Sequence, residues 1–254
     1  MPERRRQITG ESNSRENTRD LMRLLPLLAL LVVLPTWAES QVHVAVATNF
    51  RPLLEKLNVR FETETDYTVV LSSGATGVLY HQVLSGAPYD VLLAADRRTP
   101  EALVKKLETQ PDKLRCYARG KLALAGGQPG QLADPKLSVA IANPATAPYG
   151  VAATAVLSRE AFLAGASRKL VRGNNAMQAY QFWHAGSVDL ALVPRALAGP
   201  DASAIPAAWH PPIDQFALLL PSGQHKQAAQ RYFNWLFSAT VQAEILAAGY
   251  DPCL

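Results

Sequence analysis

Four short segments place hydroxyl, amide and glycine residues where an extended run gives way to a helical one. They are Thr48-Asn49, Ser72-Ser73-Gly74-Ala75-Thr76-Gly77, Asn143-Pro144-Ala145-Thr146-Ala147-Pro148-Tyr149-Gly150, and Gly173-Asn174-Asn175-Ala176. Each leaves free backbone N–H groups at a helix start, beside a side chain able to donate a hydrogen bond. Such a junction holds an anion without a formal positive charge. None of the four motifs carries Lys or Arg. That suits a desolvated oxyanion better than a nucleotide, whose phosphate chain usually brings a lysine. Taken singly, each junction is better explained by plain N-capping, because Ser, Thr and Asn are the usual caps. Four junctions at strand ends, in both halves of the chain, favour the anion.

Other chemistry finds little support. The five histidines (His43, His81, His184, His210, His225) have no metal-ligand spacing, and HExxH, CxxC, GxSxG and P-loop motifs are missing. No acid–base pair can be assembled. The chain reads as a binding protein rather than an enzyme, without a cofactor or a free metal cation. Asp90 and Asp96 are expected to fix turns, Trp183 and Trp235 to pack in the core, Arg97-Arg98 to be solvated, and Tyr89 to pack.

The elements that position these junctions alternate in type. Val42–Ala47, Val69–Leu71 and Asp90–Ala94 read as buried strands. Helices are expected over Phe50–Glu64, Thr76–Leu84 and Pro100–Glu108, the last with Pro in its first turn. The theme repeats with strands at Lys121–Ala125, Ser138–Ala142, Leu170–Arg172 and Asp189–Val193, and helices at Tyr149–Leu163 and Ala176–Ala185. A Pro-rich stretch over Pro200–Pro212, a last strand at Phe216–Leu220 and a helical C-terminal segment complete the chain. This order implies parallel sheets covered by helices in two α/β halves. A ligand then belongs between them, at the C-terminal strand ends.

Residues 24–34 read LLPLLALLVVL, an apolar run preceded by Arg23 and followed by Thr36-Trp37-Ala38. It is shorter than the roughly 20 residues that cross a bilayer. A basic flank, a short apolar stretch and small residues before a cleavage point describe a secretory signal peptide over residues 1–38. Met22-Arg23 would itself open a compact signal peptide, so residues 1–21 read as an upstream extension. Of the 254 residues, 25 are Lys or Arg and 21 are Asp or Glu, a formal +4. Residues 1–38 hold six arginines and four acids, so the remaining 216 residues carry 19 basic and 17 acidic side chains, a net +2. With no basic run or aromatic-basic stripe, nucleic acid is not an expected partner.

At the four junctions the sequence resembles the periplasmic molybdate-binding protein family, the soluble receptors of molybdate ABC importers. The motifs are Ala45-Val46-Ala47-Thr48-Asn49-Phe50, Ser73-Gly74-Ala75-Thr76-Gly77, Gly86-Ala87-Pro88-Tyr89-Asp90-Val91, Ala94-Ala95-Asp96, Asn143-Pro144 through Tyr149-Gly150, and Ala248-Gly249-Tyr250. In this order they cover Val42 to about Tyr250.

The resemblance implies a type II periplasmic-binding-protein fold: two α/β lobes joined by two crossover segments, with the ligand cleft between them. Lobe 1 is expected over residues 39–118 and 213–254, and lobe 2 over residues 119–212. It further implies that Thr48, Asn49, Thr76, Tyr149 and the backbone N–H of Ala176 bind molybdate or tungstate. Many relatives have Val-Tyr where this chain has Val193-Pro194-Arg195, so Tyr149 is expected to supply the phenol from another position. In this fold the last helix packs on the first lobe, which implies a disulfide between Cys116 and Cys253 in an exported protein. The implied partner is an ABC-importer permease, the location the periplasm, and the state a monomer. A sulfate receptor, a regulator's effector domain and a secreted enzyme are the alternatives.

Overall fold

The computed structural model describes residues 40–253; the expected signal peptide and its upstream extension lie outside the described residues. In the first half, strands β1 (Gln41–Ala47), β2 (Thr68–Gly74) and β3 (Val91–Ala94) alternate with helices α1 (Arg51–Glu64), α2 (Thr76–Leu84) and α3 (Arg98–Lys106). Strands β4 (Leu114–Gly120) and β5 (Leu122–Ala125) follow, separated by Lys121 alone. The second half runs β6 (Val139–Ala142), α4 (Pro148–Leu157), β7 (Leu170–Gly173), α5 (Ala176–His184), β8 (Leu190–Pro194), α6 (Arg195–Ala198) and β9 (Ser203–Ala204). The chain returns through β10 (Ile213–Leu219) and ends in α7 (Pro221–Gln224), α8 (Gln227–Leu236) and α9 (Ala239–Ala247).

Two five-stranded sheets result, ordered β2-β1-β3-β10-β4 and β7-β6-β8-β5-β9. In each, the first three strands are parallel and the fourth is antiparallel to its neighbours. The fourth strand is the one that arrives from the other half: β10 in the first sheet, β5 in the second. The molecule is therefore two α/β lobes joined by two crossovers. Strands β3, β5, β6 and β8 are buried along their whole length, which is why they read as continuous apolar runs rather than alternating ones.

Helix α1 turns Leu54, Leu57 and Phe61 into the first core, at the three- and four-residue spacing of one helix face. Helix α8 covers the same core with Ala228, Ala229, Tyr232, Phe233 and Leu236. Asp96 accepts from the Thr99 N–H and hydroxyl at 3.0 Å each and starts α3. Asp90, fully buried, accepts from the His43 N–H at 2.9 Å and pairs with Lys226 at 2.8 Å. Asp96 fixes a turn, as expected, whereas Asp90 ties the start of β3 to β1 and to Lys226 before α8. Trp183 and Trp235 pack against the cores, as expected.

Two expectations change. Strand β4 goes unseen in the sequence because LRCYARG interrupts its apolar residues with two arginines. In the fold, Arg115 lies over the Phe237 ring at 3.7 Å and Arg119 pairs with Asp214 at 2.5 Å, so both cations have partners beside the strand. The expected helix Tyr149–Leu163 stops at Leu157, and a separate 3-10 turn spans Glu160–Gly165. That break turns Phe162 into the second core, 5.5 Å from the Trp209 ring.

The C-terminal tail is sewn to β4. Cys116 and Cys253 form a disulfide with Cα atoms 6.1 Å apart. The Arg119 and Asp251 backbones exchange two hydrogen bonds, at 2.8 and 2.9 Å, and Lys121 pairs with Asp251 at 2.5 Å.

Candidate functional site

Four helix N-termini meet between the lobes, those of α1 and α2 from the first and α4 and α5 from the second. The cavity there is lined by Ala47, Thr48, Asn49, Gly74, Ala75, Thr76, Ala95, Ala147, Pro148, Tyr149 and Ala176. It therefore brings together all five residues singled out in the sequence. It is small, about 10 Å³, which suits one compact group rather than a ring or chain. None of its lining residues is charged.

Capping does not account for these junctions. Helices α1, α2 and α4 make no side-chain cap hydrogen bond, and only α5 is capped, by Asn175 accepting from the Gln178 N–H at 2.9 Å. The N–H groups of Asn49, Thr76 and Ala176 have no hydrogen-bond partner among the described residues. Uncapped N-termini carry partial positive charge, and here several of them point at one place.

The side chains are poised to donate. Thr76 is buried, and its Oγ1 accepts from the Ala95 N–H at 3.0 Å, which leaves the hydroxyl proton for the cavity. Tyr149 is buried, and its Oη accepts from Gln215 Nε2 at 3.3 Å. Burial pushes the Tyr149 phenol well above the ordinary tyrosine range; the neighbouring Tyr250 adds to this and the Gln215 bond offsets part of it. The phenol keeps its proton at any physiological pH and can offer it to an anion. Asn49 Nδ2 is committed, donating to Gln215 Oε1 at 2.9 Å and Tyr250 Oη at 3.4 Å, so the free donor of Asn49 is its backbone N–H.

The lobes touch at the cavity rim. The Gly77 N–H of α2 donates to the Thr146 carbonyl of the second lobe at 2.9 Å. A Cβ on Gly77 would come within 3.2 Å of the Thr146 backbone, and a Cβ on Gly120 would lie 2.1 Å from Tyr149 Oη. Both glycines are places where two pieces of chain approach too closely for a side chain.

Residues 42–251 match the model of the bacterial extracellular solute-binding protein family. The chain belongs to that family. This solute-binding protein is 36% identical over 226 residues to the molybdate-binding protein ModA of Azotobacter vinelandii, covering 83% of this chain and 90% of that one. It is 32% identical over 234 residues to ModA of Rhodobacter capsulatus, covering 88% and 92%. The solved structure of the Azotobacter vinelandii periplasmic molybdate-binding protein superposes with a TM-score of 0.77 at 35% identity, over 84% of this chain and all of the other.

Two residues of this solute-binding protein escaped the sequence reading. Gln215 is fully buried on β10, at a bulge in its pairing with β4, and is bonded to Asn49, Tyr149 and, at 2.9 Å, the Tyr117 hydroxyl. Tyr250, on the tail, donates to the Asn49 carbonyl at 3.0 Å. The available signals were a glutamine immediately before the apolar run Phe216–Leu220, where a polar residue needs a partner, and the Ala248-Gly249-Tyr250 motif. The four conspicuous residues Tyr89, Asp90, Asp96 and Arg97 do not line the cavity.

Proposed function

We propose that this chain is an exported receptor that captures molybdate, and tungstate with it, and delivers the ion to the membrane permease of an ABC importer. One observation carries the reading. Donors from both lobes surround a cavity with no charged lining residue, in a chain closely similar to proteins named for molybdate binding.

The Thr48, Thr76 and Tyr149 hydroxyls and the Asn49 and Ala176 N–H groups are the donors. They replace the water shell of a tetrahedral oxyanion. Lobe 1 (residues 39–118 and 213–254) and lobe 2 (residues 119–212) close on the ion, and contacts made only in the closed form stabilise it. The Gly77–Thr146 bond is one such contact. Sulfate has the same charge with shorter bonds, so it leaves donors imperfectly paired in a site sized for the larger ion. No cofactor or free metal cation takes part, and nucleic acid is not a partner. The signal peptide over residues 1–38 sends the protein to the periplasm, where it works as a monomer.

Calorimetry of the purified protein with molybdate, tungstate, sulfate and phosphate tests this. Molybdate and tungstate should bind and raise the melting temperature, the tighter-binding ion by more. Preferred binding of sulfate would assign the site to a different oxyanion, and binding of none of the four would sink the reading.

A further inference from the structure

The hydrogen bonds behind the cavity have a direction, and it can be read from one end. The Asn49 backbone carbonyl can only accept, and it takes the Tyr250 hydroxyl proton. Tyr250 Oη is then an acceptor, so the Asn49 side-chain atom facing it is the amide nitrogen. The other proton of that nitrogen goes to Gln215, which makes the facing atom Oε1; the Tyr117 hydroxyl donates to the same oxygen. With Oε1 fixed, the Gln215 amide nitrogen faces Tyr149 and donates to its Oη. The Tyr149 proton has no acceptor among the described residues and is left for the cavity that Tyr149 lines.

We propose that Gln215 and Tyr250 are positioning residues that hold Tyr149 as an obligate hydrogen-bond donor, and that this fixed polarity makes the site reject oxyanions that carry a proton. The proposal rests on the cavity being the oxyanion site. Molybdate offers acceptors only, and every donor around it is satisfied. Hydrogen arsenate brings an O–H that needs an acceptor, while Tyr149 Oη and Thr76 Oγ1, which line the cavity, already accept from Gln215 and the Ala95 N–H. Residues of the first lobe and its tail thereby set the behaviour of a phenol carried by the second lobe. The titratable groups facing Gln215 are the phenols of Tyr117 and Tyr149, and the Arg119–Asp214 pair lies beside it on the same two strands.

Two variants test it, with molybdate and arsenate as probes at about pH 8, where arsenate keeps one proton. In Gln215→Glu the new carboxylate accepts the Tyr149 proton, and molybdate affinity falls by about 100-fold. It recovers on acidification as the carboxyl protonates and donates again, while the unsubstituted protein shows no such profile. A loss that does not change with pH overturns the proposal. In Tyr250→Phe both amides are free to turn over and Tyr149 can become an acceptor, so the preference for molybdate over arsenate shrinks by about tenfold. Equal weakening of both ions, or an unchanged ratio, overturns it, and this second measurement decides the matter if Gln215→Glu does not fold. Failure of the unsubstituted protein to bind molybdate would instead bring down the reading of the site, and this proposal with it.

Discussion

The two lobes contribute to the cavity in different ways. On the first lobe the donors are oriented from within: Ala95 fixes the Thr76 hydroxyl, and Tyr250 and Gln215 hold the Asn49 side chain. On the second lobe, Ala176 offers an N–H fixed by its helix, but the Tyr149 phenol is held by Gln215, which belongs to the first sheet. One half of the site is therefore oriented within its own lobe, and the other depends on a residue of the first sheet.

The largest test of this contrast uses alkali. Tyr117, Tyr149, Tyr232 and Tyr250 are buried, and burial raises each phenol above its ordinary value of 10.0. The unfolded chain ionises there while the folded one does not, so the stabilisation is intact below pH 10 and is lost as pH rises beyond it. Each phenol costs about 1.4 kcal/mol per pH unit in that range. Three of the four belong to the first lobe and its tail, so denaturant melts at rising pH should show the first lobe opening first. Simultaneous loss of both lobes would remove that part of the contrast.

Reduction of the Cys116–Cys253 bond comes next. Both cysteines lie in the first lobe, and the bond closes a loop with a sequence separation of 137. Its loss should cost about 4 kcal/mol and lower the melting temperature by about 10 °C. Calorimetric scans with and without reductant measure it.

Tyr149→Phe and Thr76→Val should each weaken molybdate binding by about 1–3 kcal/mol. Their effects on the ligand-free protein should differ. Thr76→Val strips the buried Ala95 N–H of a 3.0 Å partner and should lower the melting temperature by more than Tyr149→Phe, which strips Gln215 Nε2 of a longer, 3.3 Å one. Equal destabilisation by both would contradict the asymmetry, and an unchanged affinity in Thr76→Val would refute its place in the site. The smallest effect is expected from Gly77→Ala, which crowds the Thr146 backbone at the seam. About 1 kcal/mol of affinity should be lost, with little change in the ligand-free melt.

Much of this was legible in advance. The boundaries of α2 and the N-terminus of α5 follow from hydroxyl and amide residues placed before an apolar periodicity, and the buried strands from short runs without a polar face. The cavity was legible because its donors sit at strand-to-helix junctions, where local rules operate. Gln215 and Tyr250 were not, because their roles depend on a crossover strand and a tail arriving from more than 160 residues away. No local spacing encodes that meeting. Strand β4 was hidden for a related reason: its two arginines are accommodated by Phe237 and Asp214, which are distant in the chain.

The tail disulfide has one more consequence. Both crossovers, at Lys121 and at Pro212–Ile213, lie between the two linked cysteines, and so does the whole second sheet. A protease that cuts an exposed loop anywhere in that span leaves a nicked molecule whose two pieces remain covalently joined. Under oxidising conditions such a nicked receptor would run as a single species and keep both faces of its cleft; only a reductant would let the fragments part.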